Sequence, residues 1–226
     1  MLERNKMEVK SKRHYNASRR RAQAAQTQGT ILDVARQQFL EHGYAVTTVA
    51  HIAAEANTSV ETVYKAFGGK SGLVRALWER GLGGRRAVPA PERSDLMSST
   101  ETDPVRVLQE WGKLTTELAP EAAPIMLLVR GAAATDPDMA ALFAEAEAQR
   151  RTRMRHNARL LQRRCWLRPG ISLAQATDIL WTYSSAEVYD LFVLKSGWPV
   201  KRYGEFIGNA LIAALLPHEK STVPPE

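Results

Sequence analysis

Polar side chains suited to binding a polyanion are concentrated between Thr47 and Lys70. Helix N-termini offer free N–H groups and the positive end of the helix dipole to phosphate. Glutamate can accept a hydrogen bond from the cytosine amine, and threonine can contact the thymine methyl group. The candidate phosphate-binding residues are Thr47, Thr48, Ser59, Tyr64, Lys65 and Lys70, and the candidates for base edges are Thr58, Glu61 and Thr62.

The apolar residues of this stretch predict two short helices joined by a tight turn. Ile52, Ala53 and Ala56 would form the buried side of the first helix. The hydroxyl of Thr47 or Thr48 can cap its start by accepting a hydrogen bond from a backbone N–H. These two threonines are therefore candidates both for helix capping and for phosphate contact.

Asn57 follows the first helix and is one of the few non-glycine residues that tolerate a left-handed backbone. Ser59 can cap the second helix, whose inner side would carry Val60, Val63 and Phe67. Two helices joined by such a turn form a helix-turn-helix, and the second helix of that motif can enter the major groove of DNA.

The segment from Thr30 to Trp78, about a fifth of the chain, resembles the tetracycline-repressor (TetR) family of bacterial transcription regulators. The resemblance rests on G-Y-x-x-T-T-V-x-x-I-A, a turn, and S-V-E-T-V-Y-K-A-F-G-G-K-S-G-L. Asn57 and Thr58 stand where the family usually has glycine and an apolar residue. The resemblance implies DNA contacts at the positions matching Thr48, Thr62, Tyr64 and Lys70.

Two further helices complete the predicted DNA-binding domain, residues 27–83. The first runs from Thr30 to His42 and ends at Gly43, with Ile31, Ala35 and Phe39 on its buried side. The second runs from about 70 to 83, and its apolar stripe consists of Leu73, Val74, Leu77 and Trp78.

Residues 1–26 carry eight Lys or Arg and only two acids, so this segment holds most of the net charge of +7. The composition predicts a flexible basic arm that contacts phosphates or the minor groove. The 84–103 segment is rich in Pro, Ser and charge and predicts a linker containing the domain boundary. Residues 104–217 predict a second helical domain, and 218–226 a flexible tail.

The second domain shows only helical patterns, giving an all-α fold of about nine helices. The predicted helices run from Pro104 to Pro120, from Glu121 to Ala134, from Asp136 or Pro137 to about Trp166, from Leu173 to Lys195 and from Val200 to Leu216. The last two are apolar around much of their circumference, which predicts a homodimer with a four-helix bundle across a two-fold axis. The TetR resemblance implies the same dimer.

The resemblance also implies an unknown small-molecule effector bound inside the second domain. An apolar wall with a few polar anchors is typical of such a pocket. The candidate lining residues are Trp111, Met126, Arg130, Trp181, Tyr183, Ser184 and Glu187. An alternative for the polar members is ordinary core packing with one structural ion pair between Arg130 and Glu187.

Several classes of function lack support in the sequence. It contains no phosphate-binding glycine loop, nucleophile elbow or coherent metal set, so we predict neither an enzyme nor a cofactor. His51 and Glu55 are spaced as metal ligands could be, without a third ligand nearby. The single cysteine, Cys165, excludes an internal disulfide and is a weak candidate for a redox-sensing thiol. No apolar run is long enough to span a bilayer, and no secretory signal is present, so we expect a cytoplasmic protein.

Together these features predict a sequence-specific transcriptional repressor that binds a palindromic double-stranded DNA operator as a homodimer. A small-molecule effector in the second domain would release it from DNA. The alternative is a non-specific architectural DNA-binding protein without an effector, which the basic arm also suits.

Overall fold

The computed structural model describes residues 2–84 and 86–217, with side chains described from residue 19 onward. Every regular element in those ranges is a helix, so the predicted all-α fold is confirmed. The chain divides into an N-terminal unit that ends at Ala76 and a C-terminal unit that begins at Leu77. The division lies inside a helix, whereas the sequence places the boundary in the 84–103 segment.

The N-terminal unit contains three helices and the first half of a fourth: α1 (Leu2–Val46), α2 (Val49–Glu55), α3 (Val60–Phe67) and α4 (Lys70–Gly83). Its core consists of Ile31, Ala35, Phe39, Ile52, Ala53, Val63, Leu73 and Val74, all at most 1% exposed. The predicted buried sides of these helices are thus confirmed except at Phe67, which is half-buried, and at Val60. Val60 is 41% exposed because it is the first residue of α3, at the edge of the unit.

Helix α1 begins at Leu2, well before the predicted start at Thr30. The structure therefore places the 2–26 segment in a helix rather than in a flexible arm. Its residues explain the difference, because no glycine or proline occurs before Gly29 and Ala, Gln, Arg and Lys are strong helix formers. Gly43 interrupts the helical backbone at φ 79° and ψ 168°, close to the predicted end at His42.

The C-terminal unit holds the second half of α4 and all later helices. These are α5 (Ala90–Thr100), α6 (Pro104–Ala132), α7 (Pro137–Arg163), α8 (Leu173–Tyr183), α9 (Ala186–Tyr189) and α10 (Val200–Leu215), with a π-helical segment over Asp190–Lys195. Asp103, Asp136 and Ser172 cap α6, α7 and α8 with their side chains. Each cap satisfies a backbone N–H that has no partner within its own helix.

Three of the predicted boundaries in this unit are wrong. The proposed linker contains α5, whose Ala90, Ser94 and Ser98 are buried. The two helices predicted on either side of Pro120 are one continuous helix, α6, which also includes Pro124. A proline in a helix costs about 3 kcal/mol, and the burial of the surrounding apolar side chains offsets that cost.

The third correction concerns the helix predicted from Leu173 to Lys195, which is interrupted after Tyr183. Ser184 ends α8, and the Ser185 hydroxyl then accepts a hydrogen bond from the N–H of Val188 and so caps α9. Serine side chains compete with the backbone for helical hydrogen bonds, which makes this pair of serines a natural break.

Part of the apolar surface assigned to a dimer interface is packed within the chain, and about as many of its residues are half-buried. Tyr203, Ile207, Leu211 and Leu215 of α10 are at most 3% exposed. The large apolar residues left open are Leu191 and Leu194 of the π-helical segment, which are 55% and 51% exposed. The sequence pattern overstated the apolar surface that α10 exposes, because α6 packs along one side of α10 and covers it.

Three further predictions concern the C-terminal tail, the single cysteine and a membrane-spanning helix. The tail predicted for 218–226 lies outside the described residues. Cys165 is exposed and adopts φ 55° just after α7 ends. No helix among the described residues has the length and apolar character needed to cross a membrane.

Candidate DNA interface and effector cavity

The starts of α2 and α3 are both capped by candidate DNA-binding hydroxyls. The Thr48 hydroxyl accepts a hydrogen bond from the His51 N–H at 3.2 Å, and the Ser59 hydroxyl accepts one from the Thr62 N–H at 3.1 Å. The hydroxyls of Ser59 and Thr62 also lie 2.8 Å apart. Thr48 and Ser59 are exposed and Thr62 is half-buried, so the capped helix ends remain accessible.

The turn between α2 and α3 adopts the geometry predicted from Asn57. This residue has φ 50°, and the Thr58 N–H donates to the Ala53 carbonyl at 2.9 Å. Such a bond, closing back over the last turn of α2, is typical of a left-handed helix C-cap. It holds the half-buried Thr58 directly before Ser59, at the start of α3.

Helix α3 buries one side and exposes the other. Val63 is fully buried, whereas Glu61, Tyr64 and Lys65 are exposed. Tyr64 is 53% exposed, and its ring lies beside Gly69, where an added Cβ would be 3.2 Å from the ring. The structure therefore brings the predicted contacts of α3 onto one open face.

Lys70 is held at the start of α4 by contacts with the end of α1. Its Nζ donates to the Ala45 carbonyl at 3.3 Å and lies 4.2 Å from the centre of the Tyr44 ring. Tyr44 in turn stacks on Phe39 at 6.0 Å. Sequence reasoning did not assign a role to Tyr44, although a tyrosine next to a helix-ending glycine could have suggested one.

Thr47 differs from the other DNA-binding candidates because it is buried, at 3% exposure. Its hydroxyl lies 2.8 Å from the Gly43 carbonyl and 3.1 Å from the Gln38 carbonyl, to which it donates. These bonds tie the residue after α1 to the carbonyls beside and before the kink at Gly43. We therefore remove Thr47 from the candidate contacts and assign it a structural role.

The C-terminal unit contains a partly open cavity of about 360 Å³. Four of the seven predicted pocket residues line it: Trp111, Met126, Tyr183 and Ser184. Arg130 and Glu187 lie outside the lining and form an ion pair at 2.5 Å, with about half of each side chain exposed. Trp181 also lies outside it, with the guanidinium groups of Arg150 and Arg151 about 5 Å from its ring.

Sequence reasoning missed several polar residues of the cavity wall. Among them are Ser94 of α5, Glu147, Arg150 and Asn157 of α7, and Tyr203 of α10. The available signal was a polar residue one helical turn from an apolar one, as Ser94 is from Ala90 and Tyr203 is from Ile207. Burial raises the pKa of the Tyr203 phenol well above its ordinary value, which keeps this hydroxyl uncharged.

The metal hypothesis for His51 and Glu55 receives no support. The Glu55 carboxylate accepts a hydrogen bond from the Gln38 amide at 2.6 Å. Within the described ranges, no group of His, Cys, Asp and Glu side chains is placed to hold a metal ion.

Comparison with known proteins agrees with the fold of both units. Over 88% of its length the chain superposes on the SmeT–triclosan complex, covering 98% of that chain with a TM-score of 0.67 and 23% identity. For NalD, the secondary repressor of the MexAB-OprM efflux pump in Pseudomonas aeruginosa, the TM-score is 0.66 at 18% identity, with 86% and 98% covered. At these identities the likeness establishes the fold alone.

The sequence comparisons each match only part of the chain. The chain is 37% identical over 70 residues to YvkB, an uncharacterized HTH-type transcriptional regulator of Bacillus subtilis. This match spans 31% of the chain and only 37% of the relative. Residues 31–77 match the family described as bacterial regulatory proteins, tetR family. The chain therefore carries, over residues 31–77, a segment similar to the tetR family of bacterial regulatory proteins.

Proposed function

We propose that this protein is a repressor that binds a palindromic DNA operator as a homodimer and leaves it when a small molecule occupies the C-terminal cavity. The observation that carries the DNA-binding part is the open face of α3. Its start is capped by Ser59, its inner side is anchored by the fully buried Val63, and Glu61, Tyr64 and Lys65 are exposed together. A rigid helix with an open polar face suits insertion into a major groove.

Phosphate contacts would fix the position of this helix on DNA. The capped starts of α2 and α3 present backbone N–H groups beside the exposed hydroxyls of Thr48 and Ser59. Lys70 lies at the start of α4 and adds a cation held by Tyr44. Base selectivity would come from Thr58, Glu61 and Thr62, because their side chains can reach base edges.

Release by an effector requires a ligand that binds the DNA-incompatible conformation more tightly. The cavity supplies a concave site within the C-terminal unit, and its lining includes Trp78 and Leu82 of α4. Helix α4 runs without interruption from Lys70, in the N-terminal unit, to Trp78 and Leu82. Some proteins of the same fold were solved with bound small molecules, triclosan in SmeT and choline in a regulator from Saccharomonospora viridis.

Selection of bound DNA from a random pool at physiological salt tests the function directly. We expect a short palindrome whose half-sites are centred about 34–36 Å apart, one helical turn, or a multiple of it. Recovery of no motif, with affinity that depends only on salt, would support the architectural alternative and contradict the roles of Glu61 and Thr62.

The homodimer should depend on the exposed leucines of the π-helical segment. Charges at Leu191 and Leu194 would be buried without partners in a bundle formed by the last helices, and such burial is strongly unfavourable. We expect the double variant Leu191→Glu, Leu194→Glu to sediment as a monomer. The control is the double variant Val88→Glu, Leu96→Glu, because both side chains are also exposed. We expect it to leave the dimer intact. A double variant that remains dimeric would place the interface elsewhere.

The basic N-terminal segment should contribute through counterion release. Arg19, Arg20 and Arg21 are exposed, and deletion of residues 1–26 removes eight basic groups and two acids. We expect the slope of log Kd against log salt concentration to become shallower by about 0.9 for each phosphate that the segment neutralises. An unchanged slope would exclude this segment from the interface.

A further inference from the structure

The wall of the C-terminal cavity is mainly apolar and aromatic. Its lining residues include Trp78, Trp111, Leu118, Met126 and Ile207. Its volume of about 360 Å³ lies at the lower end of the range of about 300–1,000 Å³ typical of small-molecule sites. A ligand of this size would bury most of its surface against hydrocarbon.

The charged residues of the wall, Glu147, Arg150 and Arg153, already have ion-pair partners. Arg150 donates to both carboxylate oxygens of Glu147, at 3.1 and 2.7 Å, and also to the Ser184 hydroxyl at 2.9 Å. Arg153 donates to both carboxylate oxygens of Asp95, at 2.9 and 2.7 Å. A charged ligand would have to leave water and compete with these bonds for a partner, which is unfavourable.

Three neutral polar side chains of the wall, unlike the charged ones, have no hydrogen-bond partner among the described residues. Ser94, Asn157 and Tyr203 are 6%, 8% and 2% exposed, so each is more than nine-tenths buried. In the described part of the chain, none of the three side chains makes a hydrogen bond to another residue. Because their polar atoms keep some accessible surface where these residues line the cavity, a ligand there can bond to them.

A ligand in the cavity supplies the missing partner. The Asn157 amide offers both donors and an acceptor, while the hydroxyls of Ser94 and Tyr203 can each donate and accept. They lie on three different helices, α5, α7 and α10, so they can bind a ligand from more than one direction.

We propose that the effector is an uncharged, largely aromatic or aliphatic molecule with one or two hydroxyl or carbonyl groups, held by Asn157 and Tyr203 with Ser94 in support. This inference rests on the proposed effector site and specifies its ligand class. Carboxylates and organic cations are accordingly not the preferred ligands.

Four probes that share one hydrophobic body can test the class: biphenyl, 4-phenylphenol, biphenyl-4-carboxylate and biphenyl-4-yl-trimethylammonium. Their affinities for the full-length protein are measured by isothermal titration calorimetry. We expect 4-phenylphenol to bind at least tenfold more tightly than either charged probe, and about threefold to tenfold more tightly than biphenyl for each hydrogen bond formed. A charged probe that binds as tightly as the phenol would overturn the proposal, as would the absence of binding by all four.

Two near-isosteric variants test the anchors. Asn157→Leu and Tyr203→Phe each remove hydrogen-bonding groups that have no protein partner, so neither breaks an existing bond. We expect both to reduce the preference for 4-phenylphenol over biphenyl, while the affinity for biphenyl stays the same or rises. Thr177→Val is the control, because Thr177 is equally buried but lies outside the cavity and bonds to the Leu173 carbonyl. Equal losses for both probes would show a structural role and refute the anchoring role.

Failure of this inference can be told apart from failure of the proposed function. Palindrome selection tests operator binding without any ligand, and it can succeed whichever probe binds. Conversely, a protein that selects no DNA motif can still discriminate between the four probes in calorimetry. The ligand class is therefore decided by calorimetry alone.

Discussion

Lys65→Glu is expected to weaken operator binding by about 10- to 100-fold, the equivalent of losing one charge-assisted hydrogen bond to phosphate. Lys65 is exposed in the last turn of α3, on the side opposite the fully buried Val63. Reversal of its charge leaves the core untouched. It replaces an attraction to phosphate by a repulsion at the helix that we assign to the major groove.

The measurement is fluorescence anisotropy with the selected palindrome at several salt concentrations. Removal of one lysine–phosphate pair should also reduce the salt slope by about one. Lys201→Glu is the matched control, since it changes the net charge equally on an 89% exposed side chain of the other unit. We expect it to alter affinity by less than about threefold, because exposed charges are screened over about 8–10 Å. Similar losses of affinity in both variants would mean that overall charge, rather than α3, governs binding.

The sequence contained enough information to define the helix-turn-helix because local chemistry determines that motif. The left-handed Asn57, the caps at Thr48 and Ser59 and the buried Val63 each follow from a short stretch of residues. Thr47 was misjudged because its role depends on the Gln38 carbonyl, a tertiary contact. A hydroxyl at a helix start has the same local pattern whether it faces solvent or the core.

The cavity was predicted less completely because it is formed by residues far apart in sequence. Trp111 and Tyr183 could be proposed from the apolar character of their helices, but the partners that neutralise Arg150 and Arg153 lie on separate turns and elements. Arg130 and Glu187 were correctly proposed as a pair, yet their ion pair lies outside the cavity. Composition alone does not show which polar groups remain without partners, and those groups carry the ligand inference.

Three glycines set the distance between α6 and α10. A Cβ added to Gly112 of α6 would lie 2.5 Å from the Gly204 carbonyl oxygen and 2.8 Å from the Gly208 nitrogen. A Cβ on Gly204 would lie 2.7 Å from the Gly112 carbonyl oxygen. Real Cβ atoms do not approach backbone this closely, and backbone cannot rotate away as a side chain can. Any larger residue must therefore push the two helices apart.

Gly112→Ala is expected to lower the free energy of unfolding of the C-terminal unit by about 2–4 kcal/mol, at or above the usual range for overpacked cores. Alanine favours a helix by about 0.5–1 kcal/mol over glycine, so the steric cost must exceed that gain. Gly131→Ala is the matched control: it lies in the same helix with no atom within 4 Å of the added Cβ, and we expect it to be neutral or stabilising. Urea unfolding followed by tryptophan fluorescence measures both variants.

The same substitution should also affect ligand binding, because Gly112 is adjacent to Trp111 and Tyr203 is adjacent to Gly204. Separation of α6 from α10 would move these two cavity residues apart. We therefore expect Gly112→Ala to weaken the binding of 4-phenylphenol under conditions where the variant is still folded, whereas Gly131→Ala should not. A variant as stable as the parent would show that the helices can separate without cost. The close approach of α6 and α10 would then have no role in shaping the cavity.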